Sequence, residues 1–151
     1  MFEKNYIYTL SELPAVVSEV IVLALKQPSK PSTVLLLKGD LGAGKTTFVQ
    51  ELAAQLGVGE TVTSPTFAII KQYETSHKVF ARLVHMDAYR IENQNELAPL
   101  RFTEILAEPN QLLCIEWPER IQAALPTGCL TVSISIIDEN QRSAQVSGDL
   151  V

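Results

Sequence analysis

Apolar positions along the 151-residue chain change period several times, and each change marks an element. Asn5 to Leu10 reads as a short strand. Ser11 then caps a helix that tolerates Pro14 in its first turn. Leu13, Val16, Val17, Val20, Ile21 and Ala24 recur at helical spacing on one face. Pro28 and Pro31 break that pattern and leave a loop from Pro28 to Ser32. Val34 to Leu37 is apolar without alternation, as suits a central parallel strand covered on both faces. Gly39 to Gly44 is a glycine-rich turn. Lys45 to Leu56 predicts a helix with Phe48, Val49, Leu52, Ala53 and Leu56 on one face, stopped by Gly57.

Downstream, Phe67 to Glu74 and Val79 to Asp87 read as strands joined through a hairpin at Thr75 to Lys78. Asn93 to Glu108 is mostly loop with one or two short helical turns. Gln111 to Ile115 is a second buried strand, and Pro118 to Leu125 a short helix. Leu130, Val132, Ile134 and Ile136 alternate with Thr131, Ser133 and Ser135, which predicts a half-exposed antiparallel strand. Asp138 to Gln141 turns the chain, and Ser143 to Val146 returns beside it. The whole predicts one α/β domain over residues 1–151. It has a parallel centre, an antiparallel margin and helices on both faces of the sheet.

Composition narrows the class. Hydrophobic residues make up 46% and charged residues 19%, a globular balance. The apolar run Val20 to Leu25 is far short of the ~20 residues of a membrane span. No membrane partner is expected, and no basic segment precedes a secretory-type apolar run, so a cytoplasmic location is expected. Cys114 and Cys129 sit in apolar runs and read as reduced, buried small hydrophobes, while His77 and His85 do not complete metal-ligand spacing with them. The net charge of −5, with Lys and Arg spread along the chain, disfavours nucleic-acid binding without a partner.

The motif that carries chemistry is Gly39-Asp40-Leu41-Gly42-Ala43-Gly44-Lys45-Thr46, a G-x-x-x-x-G-K-[ST] phosphate loop. A buried strand precedes it and an amphipathic helix follows, as the P-loop NTPase-like sheet requires. Glycines allow backbone N–H groups to surround polyphosphate oxygens, and the helix start adds partial positive charge. From Leu41 through Gly42, Ala43 and Gly44 to Thr47, the segment is expected to bind the nucleotide. Lys45 reaches the β- and γ-phosphates, and the Thr46 hydroxyl ligates Mg²⁺. A dinucleotide turn is the rival, but Gly39, Gly42 and Gly44 give G-x-x-G-x-G rather than G-x-G-x-x-G.

Such a loop needs an acid at a nearby strand end for Mg²⁺ or its waters. Asp87 ends Leu83-Val84-His85-Met86, and Glu116 ends Leu112-Leu113-Cys114-Ile115. One can serve the metal while the other orients the attacking water, and the residues alone leave the roles open. Thr63, Ser64 and Thr66, around Pro65, offer hydroxyls where switch loops meet a γ-phosphate. Arg90 reads as a phosphate contact, a partner contact or a solvated charge. Trp117 reads as core packing, a wall of the nucleotide site or a docking spot. His85 reads as a strand side chain rather than a base.

Four stretches together resemble the TsaE family, formerly YjeE: Gly39 to Phe48, Thr63-Ser-Pro-Thr-Phe67, His85-Met-Asp-Ala-Tyr-Arg90 and Ile115-Glu-Trp-Pro118. Order, spacing and length agree over roughly residues 1 to 147. The resemblance implies a small Mg-ATP-dependent ATPase acting with TsaB and TsaD, which modify adenosine 37 of tRNA with a threonylcarbamoyl group. It also implies that tRNA is met only indirectly through the complex. Carried over, Lys45 contacts phosphates, Thr46 and Glu116 hold Mg²⁺, and Asp87 belongs to the catalytic or switch set, with a place in the metal site. Thr63 to Phe67 look like the first switch, and Trp117 lies beside the site. Other classes fit less well. A small-molecule kinase lacks an evident Arg-bearing lid, and a GTP switch lacks Asn-Lys-x-Asp. A non-hydrolysing, nucleotide-dependent docking module stays open.

Overall fold

The computed structural model describes residues 1–27, 31–63 and 69–149. In chain order the elements are β1 (Phe2–Thr9), a 3₁₀ turn (Leu10–Glu12), α1 (Leu13–Leu25), β2 (Thr33–Lys38), α2 (Lys45–Leu56), β3 (Ile70–Glu74) and β4 (Arg82–Asp87). A turn at Gln94–Leu97, α3 (Phe102–Ala107), β5 (Gln111–Glu116), a 3₁₀ segment at Pro118–Ala124, β6 (Leu130–Ile136) and β7 (Gln141–Gly148) follow. The strands form one sheet in the order β1-β7-β6-β2-β5-β4-β3. Strands β6, β2, β5 and β4 run parallel at its centre. β7 and β1 on one side and β3 on the other are antiparallel.

The unbroken apolar run of β2 follows from its central position. Leu35 and Leu37 pack towards α1 and α2, while Val34 and Leu36 pack towards the opposite face. On the first face Val17, Val20, Phe48, Val49 and Leu52 join Leu112, Leu130 and Val132. On the second, Leu97, Phe102 and Ile121 from the short turns cover Val84, Met86, Leu113 and Ile115. Helical structure therefore lies on both faces, long on one and short on the other. Both cysteines are buried. Among the described residues no helix is long and apolar enough to cross a membrane.

Several local expectations change. Helix entry is not set by a Ser11 cap. Glu12 Oε1 accepts from both the backbone N–H and the hydroxyl of Thr9, each at 3.0 Å, so capping begins a turn earlier. Leu23 rather than Ile21 completes the buried face of α1. β1 begins at Phe2, because β7 pairs with it from Phe2↔Gly148 to Thr9↔Gln141. The β3–β4 connection is longer than Thr75 to Lys78. His77 Nδ1 accepts from the N–H groups of Val79 and Phe80, which delays β4 to Arg82. The expected strand from Phe67 starts at Ile70 among the described residues, with 67 and 68 outside them. β6 is antiparallel only to β7; it lies parallel to β2, since alternation reports face burial and not strand direction.

One buried polar network ties α3 to the sheet. Gln111 Nε2 donates to Ser32 Oγ at 2.9 Å and to the Ile105 carbonyl at 2.8 Å. The Ser32 hydroxyl lies 2.9 Å from the Ile105 carbonyl and 2.6 Å from that of Glu108. The side chains thus bond carbonyls at the end of α3, where the helix leaves acceptors without an intrahelical partner. Ser32→Ala should lower the unfolding free energy by about 1–2 kcal/mol through the bonds lost in a buried site. Urea denaturation reads this as a lower midpoint at unchanged slope, and an unchanged midpoint would show that the network adds no stability.

Candidate functional site

The site is built where β2 runs out. Its last residue, Lys38, is followed by the Gly39–Gly44 turn, and Lys45 opens α2. Gly39 passes so close to β6 that a Cβ there would lie 2.8 Å from the Ile134 carbonyl oxygen. Gly44 holds φ at 106°, a value that a side chain disfavours, and it swings the chain into the helix. Among the described residues no side chain caps this helix start, and its first turn holds no acidic residue. The first backbone N–H groups of a helix have no intrahelical acceptor, so this end presents donors and partial positive charge.

A cleft of about 300 Å³ opens there, lined by Leu41, Gly42, Gly44, Lys45, Thr46, Thr47, Asp87, Glu116 and Trp117. The register of the parallel strands explains the convergence. Asp87 ends β4 directly opposite Glu116 at the end of β5, and β5 is the neighbour of β2. Three segments far apart in sequence thus meet at the carboxyl ends of adjacent strands, where open α/β sheets carry their ligand crevice.

Lys45 is 6% exposed. Its ammonium donates to the Gly39 carbonyl and stands 3.9 Å from the centre of the Trp117 ring. Burial pulls its pKa down, opposed by the charges of Glu116 and Asp87 and, less strongly, Glu119 and Asp40. Burial pushes the Asp87 carboxyl above its ordinary value. The Tyr89 N–H, 2.9 Å from Asp87 Oδ1, pulls it back, while the Glu116 charge pushes it further up. The cleft thus has two carboxylates against one ammonium, an imbalance that a divalent cation would relieve. Thr46, Asp87 and Glu116 offer hard oxygen donors of the kind Mg²⁺ takes. Among the described residues no three His, Cys, Asp or Glu cluster into a metal cage. Mg²⁺ is commonly held by one or two carboxylates together with substrate phosphates, so the donor set fits it.

Glu116 is 3% exposed and His85 is fully buried, and His85 Nε2 lies 2.5 Å from Glu116 Oε2. A carboxylate oxygen accepts, and the Nε2–H form of the imidazole is the tautomer that completes this bond. His85 Nδ1 is buried, with no hydrogen-bond partner among the described residues. Leaving such an atom unpaired costs about 1–3 kcal/mol.

Trp117 is neither plain core nor a free surface residue. It packs on the second-face cluster with one side and carries Lys45 on the other. Tyr89 leans on it at 5.0 Å between ring centres, and the Arg120 guanidinium lies 5.6 Å from the Tyr89 ring. The backbone of Trp117 has φ 56°, in the left-handed region, which turns the chain sharply straight after Glu116.

A second cavity of about 200 Å³ abuts the first through Gly44 and Thr47. Tyr8, Leu10, Leu13, Ala43, Glu139, Asn140 and Arg142 complete its walls. Arg142 is fixed by bonds from Nε to the Ala43 carbonyl at 3.2 Å and from a terminal nitrogen to the Asp138 carbonyl at 2.7 Å. Apart from Ala43, no sequence motif marks these residues. They meet only because β7 lies between β1 and β6.

Of the residues singled out from the sequence, Leu41, Gly42, Gly44, Lys45, Thr46, Thr47, Asp87, Glu116 and Trp117 come together. Ala43 is buried beneath the turn and walls the second cavity instead. Thr63 is not among the residues lining the cleft; its hydroxyl lies 3.5 Å from the Lys71 ammonium. Ser64 and Thr66 lie outside the described residues. Sequence reasoning read His85 as an ordinary strand residue and missed its bond to Glu116. His85 lies inside one apolar run and Glu116 ends another, and the two meet only once β4 and β5 pair.

Comparison with known proteins identifies the family. The family model described as Threonylcarbamoyl adenosine biosynthesis protein TsaE matches residues 17–145. A tRNA threonylcarbamoyladenosine biosynthesis protein TsaE from Rickettsia felis is 37% identical over 123 residues, 81% of this chain and 69% of that protein. The Bacillus subtilis protein of the same name is 40% identical over 114 residues, 76% of this chain and 68% of its own. A crystal structure of Bacillus subtilis YdiB superposes with a TM-score of 0.71 at 28% identity, covering 97% of this chain and 86% of that one. A match of this extent, across the phosphate loop and both strand-end acids, means that the chain belongs to the TsaE family.

Proposed function

We propose that this chain is a Mg-ATP-dependent ATPase with a P-loop NTPase-like sheet that supports threonylcarbamoylation of tRNA adenosine 37 as the partner of a TsaB–TsaD pair. The pathway follows from the names of its relatives. The observation that carries the ATPase reading is the meeting of an uncapped helix start, a buried lysine and two strand-end carboxylates in one cleft.

In this reading the turn and the start of α2 bind the polyphosphate through backbone N–H groups. Lys45 leaves the Gly39 carbonyl for the β- and γ-phosphates, trading a neutral acceptor for charged ones, which bind more strongly. Thr46 and Glu116 would hold Mg²⁺, whose positive charge would offset negative charge developing on the phosphate oxygens. Asp87 also borders the metal, but its half-buried carboxyl with raised proton affinity suits it to orient the attacking water. Trp117 shields Lys45 from solvent on one side. The adjoining cavity, lined by Tyr8, Leu10 and Leu13 with Arg142 and Asn140, would take the base.

Partner dependence has physical support. The chain carries net charge −5, a poor match for holding tRNA alone. Leu41 and Leu10, both at the nucleotide cavities, are 71% and 72% exposed, apolar surface that a partner would cover. Contact there would complete the site and accelerate hydrolysis.

Lys45→Ala should weaken ATP binding roughly 10- to 100-fold, the range set by the loss of a charge-assisted contact. Isothermal titration reads it, and an unchanged dissociation constant would remove the phosphate-site reading. Glu116→Gln should raise the Mg²⁺ concentration needed for half-maximal hydrolysis in the TsaB–TsaD complex. Asp87→Asn should instead lower turnover at saturating Mg²⁺. Parental kinetics in both variants would reduce these acids to surface charges. ATP should bind more tightly than GTP, and Arg142→Ala should weaken ATP binding several-fold by loosening the base cavity. A competition titration in which GTP matches ATP would exclude this placement of the base.

A further inference from the structure

We propose that His85 is a positioning residue for Glu116. Its Nε2–H grips one carboxylate oxygen from inside the sheet, so that the remaining acceptor positions face the phosphate cleft. The inference rests on the ATPase reading above, in which Glu116 holds Mg²⁺.

The geometry is specific. In the β4–β5 ladder His85 stands opposite Cys114, and Asp87 opposite Glu116. His85, Asp87 and Glu116 thus share one face of the sheet, and the imidazole reaches diagonally along the ladder to the glutamate at 2.5 Å. A glutamate at a strand end has three rotatable side-chain bonds and can point several ways. This bond selects one orientation before any ligand arrives. Apolar neighbours Leu83 and Cys114 leave the imidazole buried, with no exposed surface.

The second nitrogen strengthens the case. His85 Nδ1 has no hydrogen-bond partner among the described residues. A residue needed only to fill this face would be apolar and would leave no buried nitrogen unpaired. The imidazole is retained for a single bond, and that bond ends on a carboxylate of the cleft. Carboxylates that bind metal are commonly oriented by such an outer partner, and losing the partner weakens metal affinity or activity about 10- to 100-fold.

The test compares His85→Leu, His85→Gln and Glu116→Gln in the full chain. Trp117, the only tryptophan of the sequence, reports binding by its fluorescence. Two quantities are read: ATP affinity without metal, and the Mg²⁺ concentration that half-saturates the ATP-bound protein. His85→Leu should leave the first unchanged and raise the second about tenfold or more. His85→Gln, whose amide nitrogen reaches the place of Nε2, should restore most of the loss. A crystal structure of His85→Leu should show the Glu116 carboxylate turned away from its parental position. If His85→Leu does not fold, His85→Asn takes its place, because its amide is one carbon too short to reach. Positioning is overturned if Glu116→Gln raises the Mg²⁺ requirement while the His85 variants match the parent. It is also overturned if His85→Gln loses as much as the shorter or apolar variant. If Glu116→Gln itself matches the parent, the metal reading of Glu116 fails and positioning falls with it.

Discussion

Each part of the candidate site is placed relative to one constraint, the sharp passage from β2 into α2. The chain must leave a strand buried on both faces and enter a helix whose first turn stays uncapped. That demands a turn tight enough to lie against β6, where Gly39 has no room for a Cβ, and a left-handed residue at Gly44. The helix start then sits at the carboxyl ends of the parallel strands, with no side-chain cap among the described residues. An uncapped helix end is normally destabilising. Its retention here is the kind of local rule-breaking that marks functional sites.

The same crowding accounts for the electrostatics. Lys45 is almost enclosed, so its ammonium is partly stripped of water and rests on a carbonyl and an aromatic face. Two carboxylates face it from neighbouring strands, one gripped from within the sheet by His85 and the other tied to the Tyr89 N–H. In the proposed reading, a phosphate and a cation would balance these charges. The groups are already oriented, so less ordering remains to be done on binding.

Trp117 shows how one residue joins the core to the site. Its left-handed backbone ends β5 abruptly and directs the following segment over the second face. Its ring then closes one wall of the cleft while staying packed against the second cluster. Neither plain core nor plain interface describes it. A strand-end residue with a turned backbone can serve both layers at once.

Much of this was legible in the sequence, for a local reason. The phosphate loop, α2 and its stop at Gly57 depend on residues adjacent in the chain, where glycine placement and helical periodicity speak directly. The same holds for the parallel character of β2 and for Asp87 and Glu116 at the ends of apolar runs. What pairing decides was not legible. The direction of β6, the seating of β7 between β1 and β6, and the start of β1 at Phe2 follow from hydrogen bonding between distant segments. So do the Tyr8–Arg142 cavity and the bond from His85 to Glu116. An amino-acid pattern records which face of a strand is buried, because that depends on side chains. It does not record which strand lies alongside, because backbone ladders are nearly the same for every sequence, and only the packed sheet selects the neighbour.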